Sequence, residues 1–571
     1  VDTSLLNFYL KRGPRSFSFD CKGKRVKFYT VSNLGHSKKR SLTGVFSKVE
    51  KLFVSANTKG IQTEIFILLS ELGVPNTVQP QMVEMLKALI LFVTGYNEGE
   101  NDKIAMAKEL VRENFPIVKE LYLEANATKQ TYPRTMQQVS YLDPHGLFSY
   151  LMIYIANNWL HPLHKFPVYG PGETGIWCLN TGKPVKRTET SNESSEVRMG
   201  IVADWASGTE ESQYVADLMK KEYGNFPSWS MDLGDHYYMA TLDEFRQNCF
   251  GERTNNSDRG VFFRKGSLGS MATTGNHDMY TSGIPFFDSY LPKLGVGHEG
   301  QKTTYAAFEN QYWRVIMLDT GYTSWTGNIS LNFTYNTRQL PPVITWLKDV
   351  VKVGDPFDKR GIVFLTHHGG ISAFWQAFHA TPKQLGKIVP KSKTVVWLWG
   401  HEHRLVAYKP NNYHGLNAHG RCIANSGAPT LLHKFTRPSK HDSKHIRHGK
   451  EKLFWYDNRL YQNINSTVAP ATEADALMRG ASQYLAFTSK KKNGVWVQAE
   501  GYNGFAMLRF KGPKLTIDYH SLLKRNKQGI IPNRTQVIAS EVFVVATNGS
   551  VIQKDFKTHK CGVTVIPALQ S

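Results

Sequence analysis

The chain has 571 residues, more than one ordinary domain needs and enough to bury a large core; 41% are hydrophobic and 12% aromatic, as in a globular protein. Its 69 Lys and Arg against 47 Asp and Glu leave a net charge of +22, a field that favours anionic substrates, anionic surfaces or nucleic acid and is silent about the fold. Five scattered cysteines, Cys21, Cys178, Cys249, Cys422 and Cys561, exclude a disulfide framework and a C-x-x-C metal site.

The N-terminal stretch VDTSLLNFYLKRGPRS lacks the charged-then-apolar order of a signal peptide. With the cysteine pattern this leans towards a reducing compartment such as the cytoplasm, although a removed leader stays open. The sequons at Asn328, Asn332 and Asn465 point the other way on short motifs alone. Residues 1–45 are basic and punctuated by Gly, Pro and Ser, and read as a short strand or arm. From about 46 to 130 the spacing is helical, with Ile61, Ile65, Leu68 and Leu69 on one face; residues 1–130 form one N-terminal unit of unassigned role, mainly helical. The apolar runs at 86–95 and 147–160 fall short of the roughly 20 residues that span a bilayer, so they read as buried helices, and no transmembrane segment is expected.

Residues 131–196 are rich in Pro, Gly and Thr and read as an irregular linker. At Val197 the texture becomes α/β: MGIVAD, SMDLGD, WRVIMLD, GIVFLTH and TVVWLWGH alternate with amphipathic stretches. One helix is expected after Ser207, which stands at capping-box spacing from Glu210. Another is expected in PPVITWLKDVVKV, with Pro341 in its first turn and Val343, Trp346, Leu347 and Val350 on one face. The α/β unit is expected over 197–437, followed by a basic surface insertion at 438–470. A β-rich segment over 471–571 either completes the α/β unit or forms a small appended sheet.

Five segments of this unit each end an apolar run with metal-ligand residue types: ADWASG, LGDHYY, TGNHDMY, LTHHGG and WGHEHR. They supply Asp204, Asp235 with Tyr238, Asn276 with His277, His367, and the pair His401 and His403. Singly, Asp204 reads as a helix cap, Gly234-Asp235 as a turn and His367-His368 as a buried pair. In series at strand ends, where open α/β sheets place their ligands, they describe carboxylate, imidazole, carboxamide and phenol donors for two cations. Such a pair stabilises the attacking and leaving oxygens of an in-line displacement and makes hydroxide available near neutral pH. His277, beside Asn276, is placed to protonate a leaving alkoxide. His368, His379, Glu402, Tyr280 and Arg404 lie near the motifs and read as structural or pocket-lining residues.

The series D…GDxxY…GNHD…H…GHxH resembles the calcineurin-like metallophosphoesterase superfamily over residues 197–435, and more narrowly its purple-acid-phosphatase-like branch. That resemblance implies an α/β fold, a β-sandwich flanked by helices, with a dinuclear site at the strand ends. It implies Asp204, Asp235, Tyr238 and His403 as ligands of one metal, and Asp235, Asn276, His367 and His401 as ligands of the other. His277 is implied as the general acid that serves attack by a metal-bound hydroxide. Many members carry D-x-H in the first motif; here Ala206 stands in place of that histidine. Tyr238, three residues after Asp235, fits the narrower branch and implies Fe(III) paired with Zn, Mn or Fe(II). Tyr237 is its neighbour at the other spacing.

The expected activity is hydrolysis of phosphomonoesters, on a small-molecule or macromolecular substrate. One alternative is a phosphodiesterase or nuclease with the same site, in which the positive charge helps to hold a polyanion; the missing D-x-H argues against it, and nucleic acid is not the favoured partner. A non-catalytic scaffold of the same fold is the remaining alternative, disfavoured because every ligand type is present.

Overall fold

The computed structural model describes residues 16–21, 24–29, 163–185, 195–221, 227–237, 239–252, 261–297, 299–324, 337–374, 377–428, 444–457, 459, 461–466, 491–492, 495–500, 502–523, 532–559 and 564–565. The helical reading of 46–130 and the apolar runs at 86–95 and 147–160 therefore lie outside the described residues. Near the N-terminus, β1 (Ser16–Cys21) and β2 (Lys24–Tyr29) form an antiparallel hairpin.

Apolar runs such as GIVFLT and TVVWLW have no polar face, which suits strands covered on both sides. They become β10 (Gly361–Thr366) and β11 (Thr394–Trp399), at the centre of a ten-stranded sheet. From one edge, this sheet runs β23 (Thr564–Val565), β15 (Leu453–Tyr456), β12 (Leu405–Tyr408), β14 (Leu416–Ile423), then β11 and β10. It continues through β9 (Trp313–Met317), β8 (Ala306–Glu309) and β3 (Ile176–Cys178), with β13 (Asn411–Tyr413) paired to β14. Strands β9, β10, β11 and β14 are mutually parallel.

A second sheet of eight strands begins at β22 (Val551–Thr558), β21 (Thr535–Val545), β20 (Lys514–Leu522) and β19 (Gly504–Lys511). It continues through β4 (Val197–Val202), β5 (Trp229–Asp232), β6 (Gly269–Ala272) and β7 (Gly295–Val296), of which β4, β5 and β6 are parallel. The C-terminal strands thus complete this sheet: β19 pairs antiparallel with β4, placing Leu508 opposite Met199. A small third sheet holds β16 (Tyr461–Ser466), β18 (Val495–Glu500) and β17 (Lys491–Lys492).

The two large sheets pack face to face. Met199, Ile201, Met231 and Leu508 from one meet Val315, Val363, Leu365, Val396 and Leu398 from the other in a shared core. Period-two alternation sends Ile362, Phe364 and Trp397 to the outer face, where Val343, Trp346 and Leu347 cover them. Truncating one such core side chain, Leu365→Ala for instance, costs about 2–5 kcal/mol. Arg421 of β14 and Glu541 of β21 also meet across the sandwich, with Nε to Oε1 at 2.8 Å and Nη2 to Oε2 at 2.7 Å.

Among the described residues the helices are α1 (Glu210–Lys221), α2 (Leu242–Asn248), α3 (Pro341–Thr345), α4 (Ala380–Leu385) and α5 (Lys444–Lys452). Pro341 opens α3, which widens into a single π turn over Trp346–Val350. The expected cap of α1 is displaced. Thr209, not Ser207, accepts from Ser212 N (3.3 Å), while the Ser207 hydroxyl bonds the side chains of Thr209 and Ser212. The complete capping box belongs to α2, where Thr241 and Glu244 satisfy each other's backbone N–H. No helix among the described residues is long and apolar enough to cross a membrane.

Candidate metal centre

The parallel strands of both sheets finish at one edge, and the motif residues follow directly. Asp204 lies just past β4, Asp235 past β5 and Asn276 past β6; His367 follows β10, and His401 and His403 follow β11. Four of these non-glycine residues sit in left-handed backbone: Asp204 (φ 54°), Asp235 (φ 66°), His401 (φ 73°) and His403 (φ 48°). That region is sparsely populated because Cβ crowds the following carbonyl. Each chain thus turns abruptly as its strand stops, and throws its side chain across the edge rather than along it.

The glycines of GNHD and GHEH stand against neighbouring side chains. A Cβ on Gly275 would lie 2.0 Å from Asp235 Oδ1, and one on Gly400 would lie 2.8 Å from Asp204 Oδ2. Both make room for a neighbouring carboxylate. Gly234, at φ 93°, is a glycine the turn itself requires.

The side chains converge. Candidate ligand atoms of Asp204, Asp235 and His367 lie within 4.8 Å of one another, as do those of His367, His368 and His401. His367 Nε2 is 3.2 Å from Asp235 Oδ2 and 3.3 Å from His401 Nδ1. Its Nδ1 faces the Leu233 carbonyl at 2.9 Å, which fixes the ring and leaves Nε2 to point inward. His403 Nε2 is 3.3 Å from Asp204 Oδ1. Asn276 donates from Nδ2 to the Tyr280 hydroxyl (3.0 Å), while its buried Oδ1 has no hydrogen-bond partner. Two carboxylates and imidazole nitrogens, with a buried orphan acceptor in the adjoining turn, form a donor set that fits first-row transition cations.

The charges reinforce that fit. Burial would raise Asp235, but the imidazoles of His367, His277 and His401 outweigh it and hold the carboxyl well below its usual range. Burial would lower His367, yet the Asp235 carboxylate brings it up to about 9. Burial and the neighbouring imidazoles push His401 and His368 well below the usual histidine range. His401 and His368 thus offer neutral lone pairs, while the proton shared between His367 and Asp235 is one that an incoming cation would displace.

The third motif's histidine, like His403, is partly open to solvent. His277 donates its backbone N–H to Asp235 Oδ1 (2.9 Å), its Nε2 is 4.0 Å from Asp235 Oδ2, and its side chain is 12% exposed. Its ring packs between Tyr237 and Tyr280, at centroid distances of 4.7 and 4.6 Å.

Tyr238 lies outside the described residues. The phenol found in the cluster is that of Tyr237, whose hydroxyl is 2.8 Å from Asp204 Oδ1, 3.3 Å from Asp235 Oδ2 and 2.7 Å from His403 Nε2. Its direction is set by a tertiary contact that residue spacing does not carry. His236 forms a parallel bridge with Ala206, so the residue two beyond Asp235 returns to the carboxylate's side.

Of the pocket-lining residues considered, Glu402 is buried, accepts from the Ser372 hydroxyl (2.7 Å) and is pushed by burial up to about 7. Arg404 is also buried, with its guanidinium 4.3 Å above the Phe374 ring, a packed position rather than a surface one. His379 stacks edge-on against His414. His368 meets Thr320 through Nδ1 (3.1 Å) and lies against Phe378.

The family model for calcineurin-like phosphoesterases matches residues 234–405. The chain therefore carries a calcineurin-like metallophosphoesterase domain, which supports a metal-dependent phosphoesterase. That match takes in every motif except the first, at Asp204. Among solved structures, the chain is similar to one titled "Structure of PhoD", at 10% identity and a TM-score of 0.38, covering 65% of this chain and 74% of that one. It is also similar to GAP50, titled the anchor in the inner membrane complex of Plasmodium, at 9% identity and a TM-score of 0.31, covering 60% and 88%. No curated protein matches the chain.

Proposed function

We propose that the chain hydrolyses phosphomonoesters at a dinuclear metal centre. Asp204, Asp235, His403 and a tyrosine hold one ion, and Asp235, Asn276, His367 and His401 hold the other. The observation that supports the reading is the convergence of Asp204, Asp235 and His367, whose candidate ligand atoms lie within 4.8 Å of one another, with a buried unpartnered Oδ1 on Asn276 in the turn whose His277 N–H reaches Asp235. Bound there, the two cations supply Lewis acidity to the phosphoryl group and acidity to a water nucleophile.

The chain's own residues do the rest. Asp235 would serve both ions, and the left-handed turns at Asp204 and Asp235 hold the two carboxylates at the strand ends. His277, whose ring is partly open to solvent, delivers a proton from its ring to the departing alkoxide as water attacks phosphorus from the opposite side. One P–O bond forms and one breaks, leaving phosphate and an alcohol. The narrower reading, a purple-acid-phosphatase-like centre of Fe(III) with Zn, Mn or Fe(II), rests on a phenolate ligand. Tyr237, through its hydroxyl contacts with Asp204 and His403, now competes with Tyr238 for that role.

Visible absorption with metal quantification on the purified chain, and on Tyr237→Phe and Tyr238→Phe, is the test. A tyrosinate-to-iron band lost in only one variant assigns the ligand; a colourless, active Mn or Zn protein overturns the iron reading. Faster cleavage of a bis-ester or of single-stranded DNA than of a monoester overturns the monoesterase reading.

A further inference from the structure

Beside the candidate ligands lies a buried charged group that the reaction itself does not use. Asp232 ends β5, His236 follows Asp235, and Asp278 stands in the turn after Asn276. His236 Nδ1 is 2.7 Å from Asp278 Oδ1 and Nε2 is 3.0 Å from Asp232 Oδ2, with all three side chains at most 1% exposed. A carboxylate at each ring nitrogen makes both nitrogens donors, so the imidazole is a cation shared by two anions. Phe245, Phe286 and Tyr290 surround the ring at 4.5–5.6 Å and bury it.

Both carboxylates also hold backbone. Asp278 Oδ2 accepts from Asp235 N (3.0 Å) and Gly275 N (2.7 Å). Asp232 Oδ1 accepts from Gly234 N (3.1 Å), and its Oδ2 accepts from the Tyr290 hydroxyl (3.0 Å). The amides held in this way are those of the turns that present Asp235 and Asn276. One of these turns includes Asp235 itself, at φ 66°, a conformation that persists only when its surroundings over-determine it.

We propose that His236 is a positioning residue for the metal centre: by bridging Asp232 and Asp278 it locks the 234–235 and 275–276 turns in register and so sets the distance between the bridging carboxylate and the carboxamide ligand. This rests on the metal-centre reading above. Outer partners of this kind typically change metal affinity or activity by about 10–100-fold when removed.

The test is calorimetric titration of the metal-free full chain with Mn2+, alongside thermal unfolding and steady-state kinetics on a phosphomonoester. His236→Gln, which can serve only one carboxylate, is expected to lower Mn2+ affinity at least about 10-fold and to lower kcat, with KM within about twofold. Tyr290→Phe removes a hydrogen bond from the same network but holds no ligand turn. It is expected to lower the melting temperature while leaving affinity within about twofold of wild type. Wild-type affinity in His236→Gln overturns the proposal, and so does loss of affinity in both variants in proportion to lost stability. Should His236→Gln fail to fold, Asp232→Asn reads the same link, since it keeps an acceptor for Gly234 N but weakens the bridge. Unchanged Mn2+ affinity there also overturns the role. A wild-type chain that takes up no metal overturns the metal centre and the positioning role together. Wild-type uptake with an unaltered His236→Gln overturns only the second.

Discussion

Strands β9 and β10 carry a charged cluster at each end. At their beginnings, Arg314 and Arg360 meet Glu309 and Asp358. Arg314 Nη1 lies 2.9 Å from Asp358, Arg360 Nη1 lies 2.6 Å from Glu309, and Arg360 Nη2 lies 2.8 Å from Asp358. Two guanidinium groups face two carboxylates, so charge and hydrogen bonds cancel within the group. Past the other ends, Asp204 and Asp235 face His367, His401 and His403, and burial with mutual repulsion keeps His401 from taking up a proton. Here, among the described residues, no Arg or Lys is paired with either carboxylate, and the partners are imidazoles. A cleft of about 1680 Å³ opens at the first end, with Glu309, Arg314, Asp358 and Arg360 in its wall and none of the candidate ligands. The cleft is thus lined by paired charges, whereas the candidate ligands lie elsewhere.

Asp235→Ala removes the shared carboxylate, and both bound metal and turnover are expected to fall to background, measured by metal analysis and phosphomonoester assay. His277→Ala is expected to keep two metals per chain while turnover drops about 10²–10⁴-fold. An unchanged rate would remove His277 from the reaction.

The opposite end should respond in stability and not in chemistry. Arg314→Leu leaves Glu309 and Asp358 short of a buried partner and is expected to cost about 3–5 kcal/mol in denaturant unfolding, with metal content per folded chain unchanged. Acid should separate the two ends as well. Against burial, which would raise it, the hydrogen bonds of Arg360 and the charge of Arg314 hold Asp358 down to about 2, below the ordinary 3.8. A depressed carboxylate contributes stability that is present above pH 3.8 and lost as pH falls through about 2. Asp358→Asn should therefore flatten the wild-type decline within that window, as followed by unfolding midpoints.

Much of the site was legible in the chain. Asp204, Asp235, Asn276, His367, His401 and His403 each end an apolar run, and strands stop where such runs stop. The completion of the second sheet by 504–558 was one of two open readings; pairing of Leu508 with Met199 decided it. Ser207 and Glu210 had the spacing of a capping box, yet the chain capped α1 with Thr209, since three hydroxyls compete there for the same donors. Tyr237 was passed over because spacing counts residues along the chain, whereas side-chain direction is set by the bridge between His236 and Ala206.

By itself the sequence determined which residues end the strands, and hence the donor types and the class of chemistry, because hydrophobic periodicity and residue chemistry are local properties. Only the tertiary structure decided that two sheets finish at one edge. It also decided that Gly275 and Gly400 serve as clearance for carboxylates, and that the imidazole of His236 joins two ligand turns. Those are contacts between segments some 40 to 200 residues apart, fixed by how the parallel strands pack and not by any pattern along the chain.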